Sequence, residues 1–113
     1  MLIAPLSAHT LAKIANGFSD SLVTLIARCW NMKTRKLHEK DNNSIKNGEE
    51  MKKLINPLVI CPAMNTMMWE HHITEEHLSK LTIWGFTIVD PIEKVLMCGD
   101  SGKGAMANLD SIV

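Results

Sequence analysis

No apolar run in this sequence approaches the ~20 residues that a membrane-crossing helix needs. Its N-terminus also lacks the basic region and cleavage site of a signal peptide. Neither sign of charge is in excess, since 12 Lys and Arg balance 12 Asp and Glu. There is thus no global field to attract a nucleic acid or an anionic membrane. No Cys-x-x-Cys pair occurs, and Cys29, Cys61 and Cys98 are odd in number and widely spaced, which argues against a disulfide framework and a structural zinc site. His71 and His72 are neighbours whose side chains point in different directions on one element, so no metal site is expected there. These absences leave a cytoplasmic protein as the expectation. At 113 residues it is at most one domain, long enough to bury somewhat over ~60% of its unfolded surface.

What is present reads as strand, helix, strand, helix, strand. Met1 to Ala4 has the character of a buried strand that stops at Pro5, because proline supplies no ladder donor. A helix follows from about Thr10 to Asn16, with Gly17 as a left-handed cap. Ser19 or Asp20 is positioned to cap a second helix. Its apolar residues Leu22, Val23, Leu25, Ile26, Cys29 and Trp30 cover more than one face, which predicts substantial burial. Cys29 there, and Cys61 at a strand end, are expected as buried free thiols.

From about residue 31 to 55 the chain turns polar, and Asn47-Gly48 is a turn signal. Such a stretch buries too little apolar surface to offset its ordering entropy and reads as a mobile loop insertion. Lys33, Arg35, Lys36 and Lys40 could suggest a nucleic-acid patch, but interspersed acids and absent aromatics argue against one. Pro57 to Cys61 is a continuous apolar run suited to a central parallel strand, ended by Pro62. Thr74, Glu75 and Glu76 open a helix with Leu78, Leu81 and Trp84 on one face and Gly85 as its stop. Phe86 to Val89 forms the next strand. The alternation predicts an α/β fold, a partial doubly wound parallel sheet of flavodoxin-like or Rossmann-like type with three layers, α/β/α. Residues 1–113 then make a single incomplete domain with the polar insertion inside it.

Three segments carry a resemblance. Ile3-Ala4-Pro5-Leu6-Ser7-Ala8-His9-Thr10-Leu11-Ala12-Lys13-Ile14-Ala15-Asn16-Gly17, then Pro62-Ala63-Met64-Asn65-Thr66-Met67-Met68-Trp69, then Leu96-Met97-Cys98-Gly99-Asp100-Ser101-Gly102-Lys103-Gly104-Ala105-Met106 resemble, in order and approximate spacing, the flavin-dependent cysteine decarboxylases. The likeness is greatest to the branch acting on phosphopantothenoylcysteine in coenzyme A biosynthesis. The resemblance implies FMN as cofactor, held by Ser7, Ala8, His9, Thr10 and Ala63. It implies that Asn65 binds the substrate's carboxylate and that Cys98, in a mobile clamp, is the proton donor. Val95, Met97 and Met106 fall at substrate-lining positions, though Val95 departs from the basic residue of some relatives. The implied product is phosphopantetheine: oxidation of the terminal cysteine lets carbon dioxide leave with charge spreading onto sulfur, and the enethiol is then reduced. The implied assembly is a homotrimer, or a heterotrimer with a related chain.

Each motif also has a plainer reading. Ser7 or Thr10 suits simple helix capping, Asn65 an Asx turn or cap, and Cys98 an inert thiol in a surface turn. Met64, Met67, Met68 and Trp69 suit packing that keeps a site dry. His9 stands where the family has Asn, exchanging a short amide for a longer imidazole. The family pattern includes an upstream nucleotide-binding half with a catalytic histidine, outside these 113 residues. The alternative function is therefore a non-catalytic, flavoprotein-like regulatory subunit of a trimer with an active relative. A decarboxylase of peptide cysteines would share the flavin motifs, but the Cys-Gly-Asp clamp favours the phosphopantothenoyl substrate.

Overall fold

The computed structural model describes residues 1–32, 56–95 and 101–113. The expected polar loop, apart from Asn31 and Met32, and the candidate residues Met97 and Cys98 lie outside the described residues. Strands β1 (Leu2–Leu6), β2 (Val59–Pro62) and β3 (Thr87–Ile88) form a parallel sheet in the order β1-β2-β3. Helices α1 (Ala8–Ala15) and α2 (Leu22–Cys29) precede β2, and α3 (Thr66–Glu70) and α4 (His72–Ile83) follow it. Strands β4 (Ile92–Val95) and β5 (Ser101–Ala105) pair antiparallel, and α5 (Leu109–Ile112) comes last. The α/β alternation is as expected.

The apolar run around β2 places it at the sheet centre, where Leu58, Ile60 and Cys61 are fully buried. A parallel strand covered on both faces needs that uninterrupted apolar character. Leu6, Leu11, Leu81 and Phe86 complete the core around it. Strand β1 does not stop at Ala4 but runs through Pro5 to Leu6. Among the described residues β1 pairs only with β2, and the register shifts between Ile3 and Leu6, so the proline withholds no ladder bond.

Helix α1 starts at Ala8, two residues before the expected Thr10, because Ser7 is its N-cap. It ends as predicted: Gly17 has φ +78°, and the N–H groups of Gly17 and Phe18 donate back to Ile14 and Lys13. Helix α2 is capped neither by Ser19 nor by Asp20. Ser21 takes that role in a reciprocal capping box with Thr24, and Asp20 instead pairs with Lys13 at 2.7 Å. The expected burial of α2 is also corrected. It packs inward through Thr24 and Ala27, while Leu22, Val23, Leu25, Ile26 and Cys29 are exposed. A helix on one face of a sheet buries one stripe, and a wider apolar arc leaves its remainder outside.

Helix α4 opens at His72 rather than Thr74, with the His71 Nδ1 accepting from the Ile73 N–H at 3.2 Å. Leu81 is buried and Leu78 half-buried, but Trp84 is the C-cap residue and stays half-exposed. Gly85 closes the helix, as expected, with the Gly85 and Phe86 N–H groups donating to Thr82 and Leu81. The β4-β5 pair is an element that sequence reading missed.

Candidate functional site

The Ala63 N–H donates to the Leu6 carbonyl at 2.9 Å, which draws the end of β2 beside the turn from β1 into α1. Ser7, Thr10 and Ala63 consequently share one cleft of about 300 Å³, walled also by Ile3, Pro5, Ser21 and Val23. The Ser7 hydroxyl accepts from the Thr10 N–H at 3.2 Å and donates to the Thr10 hydroxyl at 3.1 Å. Capping by Ser7 is therefore real. It leaves the N–H groups of Ala8 and His9, at the positive end of α1, without partners among the described residues. His9 is exposed on that first turn. Hydroxyls, unpaired N–H groups and an apolar wall of Ile3, Pro5 and Ala63 fit a ligand with an anionic or polar edge and an apolar body, as a flavin nucleotide has.

Asn65 stands just past the end of β2 as the N-cap of α3, exposed, with its Oδ1 accepting from the Met68 N–H at 2.9 Å. With the acceptor end committed to the helix, the two Nδ2 hydrogens are what the side chain offers to an external oxygen. The cap reading and a carboxylate-binding role thus use opposite ends of one amide. Next to it, the Thr66 Oγ1 is buried with no hydrogen-bond partner among the described residues. Met64 packs on the core, but Met67 and Met68 are exposed, which corrects the expectation that all four bulky residues pack.

The hairpin seats on this segment. The Met64 N–H donates to the Gly104 carbonyl at 2.9 Å, and the Lys103 ammonium lies 5.7 Å from the centre of the Trp69 ring. Val95 ends β4 with its backbone opposite Ser101, and Met106 follows β5 half-buried. The structure thereby brings β4 and β5 to the helix that Asn65 caps. Sequence reading passed over Lys103, Thr66 and the hairpin itself. Ile92-Glu93-Lys94-Val95 reads apolar-polar-polar-apolar, which lacks the period-2 alternation that announces a strand.

Cys61 is fully buried, and desolvation pushes its thiol above the ordinary value, which makes it a packing residue rather than a nucleophile. Among the described residues no group of three His, Cys, Asp or Glu side chains could hold a metal ion, and no helix is long and apolar enough to cross a membrane.

A parallel sheet with a cleft beside the carboxyl ends of its strands is the open α/β arrangement in which ligands bind. The chain belongs to the Flavoprotein family, which it matches over residues 1–113. It is similar to the phosphopantothenoylcysteine decarboxylase of Mus musculus, 38% identical over 113 residues that span 100% of this chain and 45% of that protein. It is also similar to a probable phosphopantothenoylcysteine decarboxylase of Arabidopsis thaliana, 45% identical over 107 residues, 95% of this chain and 42% of the other. Among solved structures, a PPC decarboxylase mutant complexed with pantothenoylaminoethenethiol has TM-score 0.77 at 41% identity, covering 98% of this chain and 49% of that one. The FMN-binding protein AtHal3 has TM-score 0.67 at 43% identity, covering 95% and 46%. The chain spans somewhat less than half the length of these relatives.

Proposed function

We propose that the chain is the part of an FMN-dependent phosphopantothenoylcysteine decarboxylase that carries the substrate's carboxylate site and one wall of the flavin site. The observation that carries this reading is the shared cleft of Ser7, Thr10 and Ala63, with Ala63 two residues before the α3 N-cap Asn65. FMN, when bound, would supply the oxidation of the substrate's cysteine that lets its carboxylate leave as carbon dioxide and would then return the same two electrons to the enethiol. The unpaired N–H groups of Ala8 and His9 stabilise an anionic group of the cofactor at the start of α1. Ile3, Pro5 and Ala63 keep water from its apolar body. The Nδ2 hydrogens of Asn65 orient the substrate carboxylate, and an amide does so without exchanging a proton at neutral pH. Cys98 delivers the proton to the enethiol, and Val95, Met97 and Met106 line the substrate. The product is phosphopantetheine, for coenzyme A synthesis in the cytoplasm, and the assembly is a homotrimer or a heterotrimer with a related chain.

His9 gives weight to a second reading, a non-catalytic subunit of such a trimer, since an imidazole replaces an amide in the first turn beside the cleft. Titration of the purified chain with FMN, followed by flavin fluorescence and then by carbon dioxide release from phosphopantothenoylcysteine, separates the two. Quenched flavin fluorescence, weakened in Ser7→Ala, with carbon dioxide released by the chain alone or mixed with the upstream half of a relative, is the expected result. Bound FMN without turnover in any mixture supports the subunit; absence of FMN binding by the chain alone and in every mixture removes the decarboxylase reading.

A further inference from the structure

We propose that Lys103 is a positioning residue whose ammonium, set over Trp69, locks β5 onto α3 and fixes how the hairpin sits beside Asn65. Lys103 is half-buried, and its Nζ is 5.7 Å from the ring centre, inside the ~6 Å within which a ring quadrupole attracts a cation. Its register partner across the hairpin is the exposed Glu93, yet among the described residues no carboxylate forms an ion pair with Lys103. The side chain reaches instead to the neighbouring helix.

The adjacent residue makes a second attachment. The Gly104 carbonyl accepts from the Met64 N–H at 2.9 Å, one residue before the α3 cap, while Lys103 meets Trp69 in the last turn of the same helix. The two contacts bracket Asn65 and Thr66. One hydrogen bond alone is a pivot about which a hairpin can swing; a second contact five residues further along α3 removes that rotation. Lys103 touches neither end of the Asn65 amide, so its action is on placement and not on chemistry. That the amide so placed receives a substrate carboxylate rests on the decarboxylase reading; the seating of the hairpin does not.

Amide hydrogen exchange on the whole chain tests this with three reporters. The Met64 N–H reports hairpin seating, the Met68 N–H bound to Asn65 Oδ1 reports the α3 cap, and the Val89 N–H bound to the Ile60 carbonyl reports the sheet. Lys103→Met keeps the apolar stem and removes the charge. It is expected to speed exchange at Met64 by about 3- to 10-fold with Val89 unchanged. Lys103→Arg should restore protection, Trp69→Leu should match Lys103→Met, and the double variant should add nothing further. Unchanged exchange at Met64 in Lys103→Met overturns the inference. So does an equal rise at Met64 and Val89, which would mean a loss of global stability. A wild-type chain without decarboxylase activity would leave this measurement standing.

Discussion

A Cβ placed on Gly104 would overlap the carbonyl oxygen of Met64, the residue whose N–H donates to the Gly104 carbonyl. The backbones of β5 and the β2-α3 turn therefore meet without room for a side chain. Gly104→Ala must push one segment off the other. The expected cost is about 1–3 kcal/mol, as for other overpacking substitutions, read as a lowered urea midpoint, together with faster exchange of the Met64 N–H.

Asn65 allows its two roles to be separated, because α3 uses only its acceptor end. Asn65→Ala loses the cap and is expected to lower stability by about 0.5–2 kcal/mol. Asn65→Asp keeps an acceptor for the Met68 N–H and should retain stability, while setting a negative charge where a carboxylate would bind. A sharp loss of substrate binding in Asn65→Asp at wild-type stability is the expected outcome. Unchanged substrate binding in Asn65→Asp would assign Asn65 to capping alone.

The fold was legible where one signal had no rival. The short apolar run through Ile60 and Cys61, ended by Pro62, matched a central strand, and Gly17 and Gly85 ended their helices as read. Helix starts were less legible because several cap-forming residues competed. Ser21 prevailed over Ser19 and Asp20 through its reciprocal bonds with Thr24, a choice that depends on geometry. The exposed face of α2 was illegible, since apolar content says how much surface could be buried and not how much finds a neighbour. At the site, Ser7, Thr10 and Ala63 were expected together and are together, whereas the Lys103 contact with Trp69 spans 34 residues (103 minus 69) and no local pattern announces it.

The two described thiols should differ sharply in reactivity. Cys29 is exposed and Cys61 buried, so alkylation mapped by mass spectrometry at neutral pH should modify Cys29 rapidly and leave Cys61 intact. The raised folded value of Cys61 also has a direction in pH. Its contribution to stability is fully present below the ordinary thiol value of 9.0 and is lost as pH rises through the higher folded value. Cys61→Ala should flatten the alkaline limb of a urea-midpoint profile.

Asp20 works in the opposite direction. Its hydrogen bond to Lys13, at 2.7 Å, holds its carboxyl below the ordinary 3.8. The stabilising pair is therefore present above that value and lost as pH falls through the lower folded one. Because the carboxylate is exposed the effect is small and screened by salt. Asp20→Asn should reduce the acid-side slope at low ionic strength and leave it unaltered at high salt. A slope difference that persists in high salt would mean that Asp20 does more than pair with Lys13.

His77 makes the last prediction, and it concerns one proton. The Asn16 Nδ2 donates to the Ala12 carbonyl at 2.8 Å, which fixes the orientation of that amide, and lies 3.4 Å from the Nε2 of the buried His77. An amide nitrogen can only donate, so the Nε2 must be the acceptor and the ring proton must sit on Nδ1. Nitrogen NMR of the imidazole should show the Nδ1-protonated tautomer. His77→Gln retains an acceptor and should cost little, whereas His77→Leu leaves the second Asn16 hydrogen without a partner between α1 and α4. The expected penalty is about 1–3 kcal/mol, and finding the proton on Nε2 would show that Asn16 and His77 are packed together without being bonded.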